Sequence, residues 1–157
     1  MAEKTNAIRL LEAAGVDFEV LSYTVDEEDL SATHAAELLG VDPDRVFKTI
    51  LLSGERTGPF VCIVPGTCEV DLKKAAAAAG DKAASPLALR DLEGLTGYIR
   101  GACSPIGMKR RFPTYMDETA LLFDRISVSA GKRGLQLWVK PEDLARIAEA
   151  VLADIIA

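Results

Sequence analysis

Histidine and cysteine are scarce in this sequence, and their scarcity excludes several classes of protein. Among 157 residues there is one histidine, His34, and there are three cysteines, Cys62, Cys68 and Cys103, with no Cys-x-x-Cys pair. A zinc site needs clustered Cys and His ligands, so we predict no metal site. An odd number of scattered cysteines predicts reduced thiols rather than structural disulfides. Catalysis by a Ser-His or Cys-His pair would have to use His34, and no Gly-x-Ser-x-Gly motif is present.

Long apolar runs and nucleotide-binding loops are absent as well. No stretch approaches the roughly 20 apolar residues of a transmembrane helix. The segment Met1–Thr5 leads into a predicted helix and does not resemble a signal peptide. We therefore expect a cytoplasmic protein with no membrane partner. Because Gly131-Lys132 is followed by Arg133, where a P-loop needs Ser or Thr, the sequence disfavours ATP and GTP chemistry, and we expect no cofactor.

The composition is that of a folded, acidic protein. Hydrophobic residues make up 49% and charged residues 27% of the chain, and the formal net charge is −6. With no repeat or linker, residues 1–157 are predicted to form one domain. Basic side chains are nevertheless concentrated between residues 100 and 133, with seven Lys and Arg against three acidic residues. Such a patch fits the end of an RNA strand better than long duplex DNA, and a solvated surface without a partner is the alternative.

Helical and strand patterns alternate along the chain and predict a mixed α/β (α+β) fold. Helices are predicted at 5–14, 31–40, 71–80, 85–95 and 141–155, and strands at 18–23, 46–52, 60–64, 121–128 and 135–139. The apolar strands 46–52 and 60–64 are predicted to form a hairpin at the core of the sheet. Residues 97–117 lose this periodicity and carry three glycines and two prolines, which indicates a loop around a binding site.

Two features within these elements suggest chemistry. Lys48 shares one strand face with Val46, Ile50 and Leu52, so it interrupts an apolar row. Burial can make a lysine a base or hold its cation beside developing negative charge, whereas an inward charge that protects a sheet edge is the alternative. The glycines of the segment 101–107 allow backbone N–H groups to approach an anion, and an ordinary turn is the alternative there.

Five segments, taken together and in this order, resemble the YbaK/EbsC family. Its members are single-domain aminoacyl-tRNA deacylases related to the editing domain of bacterial prolyl-tRNA synthetases. The segments are Val46–Thr49, Asp71–Lys74, Thr96–Tyr98, Gly101–Gly107 with its Ser104-Pro105 pair, and Val128–Gly134. The resemblance covers essentially the full chain. It implies a single compact domain in which helices surround a central, mixed, barrel-like β-sheet.

The resemblance also implies an activity, the hydrolysis in trans of the ester that joins a wrong amino acid to the 3′ end of tRNA. Cys-tRNA(Pro) is the favoured substrate, with Cys-tRNA(Cys) and Ala-tRNA(Pro) as alternatives. A prolyl site cannot reject amino acids of similar or smaller size by binding alone, so a second, hydrolytic site is needed. Prolyl-tRNA synthetase is a further implied partner. A non-catalytic module that binds tRNA or a synthetase is the alternative function, and a small-molecule-binding protein is a third.

Specific residues receive roles by this similarity. Lys48 and Gly101 are implied to be catalytic: Lys48 orients the ester or terminal ribose, and backbone N–H groups of the 101–107 loop stabilise the oxyanion. Substrate contacts are expected at Tyr23, Thr49, Ser104, Pro105, Gly107, Ser129 and Gly131. Contacts with tRNA are expected at Lys109, Arg110, Arg111, Lys132 and Arg133. The attack is implied to be assisted by the substrate, so that the protein mainly positions the reacting groups.

Two positions depart from the family pattern. Gln136 stands where an acidic residue is frequent, and the segment Asp29-Leu30-Ser31 has no aromatic residue near the start of the second helix. We therefore expect a pocket of altered shape, in which alanine or another small residue competes with cysteine as the preferred amino acid.

Overall fold

Two β-sheets form the centre of the fold, which a computed structural model describes for residues 4–157. The helices are α1 (Asn6–Ala14), α2 (Ala32–Leu39), α3 (Leu72–Ala78), α4 (Leu89–Thr96) and α5 (Pro141–Ala148). The strands are β1 (Phe18–Ser22), β2 (Phe47–Gly54), β3 (Gly58–Pro65), β4 (Ala84–Pro86), β5 (Thr114–Asp117), β6 (Ile126–Ser129), β7 (Leu135–Val139) and β8 (Ala150–Ala153). None of the helices within residues 4–157 combines the length and the hydropathy needed to cross a membrane.

The larger sheet has the order β4-β2-β3-β5-β8, and the smaller sheet has the order β1-β7-β6. Strands β2 and β3 form the predicted antiparallel hairpin, whereas β5 and β8 run parallel to their neighbours. A parallel bridge between Val46 and Ser127 joins the two sheets. The predicted mixed α/β fold is confirmed, but its strands form two bridged sheets that are not closed into a barrel.

Strand β3 lies in the middle of the larger sheet and is buried on both faces, which explains its continuous apolar sequence. Phe60, Val61, Cys62, Ile63 and Val64 are all 0% exposed. One face belongs to the main core with α1 and the smaller sheet, and the other packs on α3 and Ile155. Cys62 is therefore a core residue, and its burial raises the pKa of the thiol to about 12.

The first three helices begin where the sequence predicts. The side chains of Thr5, Ser31 and Asp71 each accept a hydrogen bond from a backbone N–H in the first turn. Helices α1 and α2 end at Gly15 and Gly40, both with a left-handed backbone. These capping signals are local, so the sequence alone is sufficient to place them.

Two predicted elements in the middle of the chain are wrong. Ser85-Pro86 does not open a helix: it belongs to β4, which pairs with the end of β2, and α4 begins only at Leu89. A proline is compatible with this edge strand because it removes no hydrogen bond of the sheet interior. The segment 97–117 is not entirely loop, since Thr114–Asp117 forms β5 between β3 and β8.

Two boundaries in the last third of the chain are also wrong. The predicted strand 121–128 begins only at Ile126, because Glu118–Leu122 forms a 3₁₀ helix. The predicted final helix stops at Ala148, and Glu149 takes a left-handed backbone with φ 54°. The chain then forms β8 beside β5. Apolar residues at 151, 152 and 155 continue the helical spacing by coincidence, and the partner strand decides their conformation.

The turn between β2 and β3 is held by one carboxylate. Asp81 Oδ2 accepts hydrogen bonds from the backbone N–H groups of Thr57 and Arg56, both at 2.9 Å, and from Thr57 Oγ1 at 3.0 Å. Its Oδ1 accepts from the Lys82 N–H at 2.7 Å. These bonds, with those from Thr57 and Arg56 as the largest contributions, hold the pKa of Asp81 well below its ordinary value.

We predict that Asp81→Asn lowers stability at pH 7 and that the deficit shrinks in acid. A carboxylate with a depressed pKa stabilises the fold above its unfolded pKa, near 4, and this contribution is lost as the pH falls toward the folded value. Urea unfolding of both proteins at pH 7, 4 and 2.5 measures the effect, with Glu19→Gln on the exposed face of β1 as control. A deficit that stays constant with pH would contradict this assignment.

Candidate active site

A cleft of about 470 Å³ opens beside the uncovered edge of β2. Strand β4 pairs only with Leu52–Gly54, so the preceding residues Val46–Leu51 border the cleft. The opposite walls come from the start of α2, from α4, from the loop after Tyr98 and from the smaller sheet. Besides β2, the lining includes Tyr23, Leu30, Ala32, Ala35, Leu87, Leu89, Leu92, Arg100, Gly101, Cys103, Ser129 and Gln136.

Lys48, the residue that sequence analysis singled out, lies in this cleft at the edge of the sheet. Its side chain is 24% exposed, and Nζ is 3.7 Å from Oε1 of Glu69, whose side chain is 89% exposed. An ion pair with so exposed a partner is weak, and a ligand can replace it. Lys48 therefore supplies a positive charge that an oxygen of a bound ligand can approach.

Thr49 offers three polar groups beside Lys48. Within residues 4–157, Thr49 Oγ1 is the one buried side-chain nitrogen or oxygen that has no hydrogen-bond partner. The Leu51 carbonyl accepts from Leu87 N at 3.1 Å, on the side away from β3. Because backbone groups alternate along a strand, the N–H and C=O of Thr49 point to that same side, toward the cleft. An unpaired buried hydroxyl costs about 1–3 kcal/mol, which a ligand atom could offset.

Gly101 occupies a position in the cleft wall that tolerates no side chain. Its φ is +83°, and an added Cβ would lie 3.2 Å from Leu30 Cβ and 3.4 Å from Arg133 Nε. In the loop that follows, the N–H of Ala102 donates to the Ile99 carbonyl and that of Ile106 to Ser104 Oγ. Gly101 and Cys103 both line the cleft, and their N–H groups form no hydrogen bond within residues 4–157, so they are candidate donors to a ligand.

Arg133 connects three segments around the cleft. Its Nε donates to the Arg100 carbonyl at 2.9 Å, and Nη1 donates to Glu27 Oε2 at 2.9 Å. The side chain thus ties the turn after β6 to the Gly101 loop and to the acidic segment before α2. Arg133, a predicted tRNA contact, therefore has a structural function at the cleft rim. Lys132 precedes it in the same turn.

Two glycines predicted as substrate contacts instead pack around Tyr98. A Cβ on Gly107 would lie 2.8 Å from Tyr98 Oη, and one on Gly131 would lie 2.9 Å from Tyr98 Cε1. The hydroxyl of Tyr98 donates to the Ile106 carbonyl at 2.7 Å, and burial raises its pKa to about 12. Neither glycine lines the cleft beside β2. Together with Tyr98 they hold the loop 101–107 against the turn after β6.

The remaining predicted substrate contacts, Ser104 and Pro105, also lie away from this cleft. Ser104 is fully buried, and its hydroxyl serves the turn described above. Pro105 and Gly107 line a second cleft of about 700 Å³, which also contains Asn6, Arg110 and Arg111. The first cleft thus collects Lys48, Tyr23, Thr49, Gly101 and Ser129 from the predicted set, and the second lies on the other side of the 101–107 loop.

The predicted tRNA contacts in the loop 109–111 differ in their surroundings. The guanidinium carbon of Arg110 lies 5.4 Å from the centre of the Phe112 ring. Arg111 forms an ion pair with Glu149. Lys109 Nζ donates to the Gly94 carbonyl at 3.4 Å. Arg110 therefore presents a stacked guanidinium at the second cleft, whereas Arg111 has an acidic partner.

Sequence analysis did not assign several residues of the first cleft. Leu87, Leu89 and Leu92 line it, but their spacing is also that of an ordinary helix core. Gln136 was noted only as a departure from a family pattern. Cys103 lines the wall as well, and burial raises the pKa of its thiol to about 12, so it is not a thiolate nucleophile at neutral pH. Within residues 4–157 no three His, Cys, Asp or Glu side chains are grouped to hold a metal ion.

Comparison with known proteins identifies the family to which the chain belongs. Residues 26–147 match the family model of the aminoacyl-tRNA editing domain. The chain belongs to this family. This confirms the resemblance inferred from the sequence motifs and, with it, the predicted enzyme class, a hydrolase of aminoacyl-tRNA esters.

The editing domain has close relatives in sequence and in structure. It is 47% identical to EbsC of Enterococcus faecalis, named as a candidate Cys-tRNA(Pro)/Cys-tRNA(Cys) deacylase, over 98% of this chain and 93% of that protein. It is 26% identical to the uncharacterized protein YwhH of Bacillus subtilis, over 84% of this chain and 79% of YwhH.

Two solved structures share its fold. One, described as a candidate trans-editing enzyme for prolyl-tRNA synthetase, superposes with a TM-score of 0.84 at 24% identity and 99% coverage of both chains. The other, the protein APE2540, superposes with a TM-score of 0.88 at 22% identity, over 98% of this chain and 100% of that chain.

A comparison of Gly101→Ala with Gly97→Ala distinguishes the effect of backbone strain, which both substitutions cause, from the effect of a changed cleft wall, which we predict only for Gly101→Ala. Both glycines have φ +83°, so each substitution should cost about 1–2 kcal/mol of stability. A Cβ on Gly97 meets only Lys109 Cβ at 3.6 Å, whereas one on Gly101 presses on Leu30 and Arg133. We expect Gly101→Ala to be the less stable variant in thermal unfolding and the one that loses aminoacyl-ester hydrolysis. Equal activity in the two variants would contradict a role for Gly101 in the site.

Proposed function

We propose that this editing domain is a trans-acting deacylase that hydrolyses the ester of mischarged tRNA. Cys-tRNA(Pro) is the preferred substrate, and Cys-tRNA(Cys) and Ala-tRNA(Pro) are further ones. The observation that carries the proposal is the first cleft, where the Lys48 ammonium and the unpaired strand edge at Thr49 lie in one lining with Gly101. The family assignment and the name of the EbsC relative support the substrate class.

The chemistry requires a nucleophile and a means to stabilise negative charge. In the reaction a water oxygen adds to the ester carbonyl carbon, and the bond from that carbon to the ribose oxygen then breaks, releasing the amino acid and the tRNA hydroxyl. The Lys48 ammonium and the backbone N–H groups of Thr49, Gly101 and Cys103 supply donors for the developing oxyanion. Such donors lower the barrier most at the oxyanion, because the negative charge develops there.

The attacking water is positioned with the help of the substrate rather than by a protein base. Cys103 is a neutral thiol in this cleft, because burial raises its pKa to about 12. The sole histidine of the chain, His34, is bonded to Asp26 at 3.0 Å and does not line the cleft. Substrate groups such as the ribose hydroxyl lie next to the ester and can orient the water, so that proximity provides the catalysis.

The amino-acid part of the substrate fits an apolar section of the same cleft. Its aliphatic lining includes Ala32 and Ala35 of α2 together with Leu87, Leu89 and Leu92 in and before α4. Small side chains such as those of cysteine and alanine suit these walls. A prolyl-tRNA synthetase attaches such amino acids in error because a binding site discriminates weakly against similar or smaller side chains.

The tRNA end approaches over the basic segments that flank the 101–107 loop. We assign contacts with its phosphates to Lys109, Arg110, Arg111, Lys132 and Arg133, among which Arg110 presents its guanidinium at the second cleft. With a net charge of −6 and few such contacts, the domain binds tRNA weakly. We therefore propose that a synthetase, prolyl-tRNA synthetase in the first place, delivers the tRNA to it in the cytoplasm.

We predict that Lys48→Met lowers single-turnover deacylation of Cys-tRNA(Pro) by about 10²–10³-fold, the cost of removing one preorganised donor to an oxyanion. The matched control is Lys82→Met, which also removes a lysine from an exposed ion pair, with Glu55 at 3.5 Å, outside both clefts. The measurement compares Cys-tRNA(Pro), Ala-tRNA(Pro) and Pro-tRNA(Pro), with circular dichroism to verify folding.

Each outcome of that experiment has a definite meaning. Hydrolysis of the Cys or Ala ester but not of the Pro ester would establish editing and name the amino acid, provided that Lys48→Met abolishes this hydrolysis and Lys82→Met does not. If the folded protein hydrolyses none of the three esters and still binds tRNA, the non-catalytic binding module is the correct function. Equal rates for Lys48→Met and wild type would remove Lys48 from the mechanism.

We predict that Arg110→Gln combined with Arg111→Gln weakens tRNA binding and reduces its salt dependence. The association constant K for tRNA falls as salt rises, and each lost phosphate contact reduces the steepness of log K against log[salt] by about 1. The slope of the double variant should therefore be shallower by about 1–2. Arg56→Gln, in the β2–β3 turn outside both clefts, is the control. Fluorescence anisotropy with labelled tRNA between 50 and 200 mM salt measures the slopes. An unchanged slope would place the tRNA elsewhere.

A further inference from the structure

Gln136 has a defined place in the wall of the first cleft. It lies in β7, the middle strand of the smaller sheet, directly opposite Ser129 of β6 and Leu21 of β1. Residues that face each other across strands point to the same side, so Gln136 and Ser129 share a face, together with Tyr23 two residues beyond Leu21. All three line the cleft, and Gln136 is only 7% exposed.

One end of the Gln136 amide is already engaged by the protein. Ser127, fully buried on the same face, donates from Oγ to Gln136 Oε1 at 2.7 Å. The other end, Nε2, forms no hydrogen bond within residues 4–157 and is not among the side-chain atoms sealed from solvent there. With Oε1 held by Ser127, the amide presents its N–H groups to the cleft.

From this geometry we propose that Gln136 is a substrate-binding residue that donates a hydrogen bond to an uncharged oxygen of the substrate, in the ester or the terminal ribose, and so fixes the orientation of the ester in the cleft. The inference rests on the proposed function, because it takes the cleft to hold an aminoacyl ester. An N–H donor cannot accept a hydrogen bond from an ammonium, so the α-amino group of the substrate is excluded from this position.

The charges of the cleft then give the substrate one orientation. Its acidic lining residues are Glu28 and Asp29, both in the segment before α2, and its basic ones are Lys48 and Arg100. Since residue 136 carries no charge, the carboxylates available to the α-ammonium group are those of Glu28 and Asp29. The ester oxygens accordingly lie toward Lys48 and Gln136, and the amino group toward the 28–29 segment.

The composition of the chain makes this contact directly observable. Gln136 is its sole glutamine and Asn6 its sole asparagine, so a ¹H–¹⁵N spectrum contains two side-chain amide pairs. Asn6 lies in the second cleft, where its Nδ2 donates to the Gly107 carbonyl at 3.3 Å, and it serves as an internal control. The probe is 3′-alanylamino-3′-deoxyadenosine, a stable amide analogue of the esterified nucleoside. We expect the Gln136 pair to shift on titration and the Asn6 pair to stay.

Two near-isosteric substitutions test the direction of the hydrogen bond. Gln136→Met removes the donor, and we expect kcat/KM for Ala-tRNA(Pro) and Cys-tRNA(Pro) to fall about tenfold. Gln136→Glu places an acceptor there, and we expect a larger loss at pH 8 that is partly recovered at pH 5, because the protonated carboxyl can donate again. A purely structural role would produce neither the recovery in acid nor the shift of the amide pair.

The results separate this inference from the function on which it rests. If wild type hydrolyses the esters while Gln136→Met matches it, or if the analogue shifts the backbone signals of Thr49 and Gly101 but not the Gln136 pair, the inference is overturned and the proposed function stands. If wild type hydrolyses no ester and the analogue shifts no signal of the first cleft, both are overturned.

Discussion

The incomplete cover on one edge of β2 is the constraint from which the site follows. Strand β3 seals one edge along its whole length, whereas β4 reaches only from Leu52 to Gly54 on the other. Between the bridge from Val46 to Ser127 and the bond from Leu87 N to the Leu51 carbonyl, the sheet edge at Lys48–Ile50 is therefore open, and the cleft occupies that space. An uncovered edge normally invites pairing with another strand. Here a lysine and a threonine turn the same exposed edge into a polar, charged wall for a small ligand.

Tight packing of loops gives the opposite wall its shape. The ring of Tyr98 lies against Gly107 and Gly131, each with a left-handed backbone and no room for a Cβ. Arg133 adds its bonds to the Arg100 carbonyl and Glu27. A site on loops becomes precise when such contacts fix the loops to a sheet. The glycines and the arginine of these motifs thus hold the wall of the cleft, while Lys48, Thr49 and Gly101 line it.

Sequence analysis correctly predicted the elements whose structure depends on neighbouring residues. It failed for strands whose formation depends on partners that are distant in the sequence. The helix starts at Thr5, Ser31 and Asp71 and the hairpin around β2 and β3 depend on local sequence, and they are confirmed. Strands β4, β5 and β8 are short edge or parallel strands whose partners are remote in sequence, so no periodicity indicates them. Motif resemblance identified the family correctly, but it could not separate Gly101, which lines the cleft, from Gly107 and Gly131, which pack on Tyr98.

The buried thiol of Cys103 has a consequence for a site that is proposed to receive cysteinyl esters. Thiol–disulfide exchange begins with a thiolate, and an oxidised or persulfidated substrate could otherwise become covalently attached to a cysteine in the wall. With its pKa raised to about 12, Cys103 carries almost no thiolate at neutral pH. With so little thiolate to attack, covalent capture of a proposed sulfur-containing substrate by Cys103 should be slow.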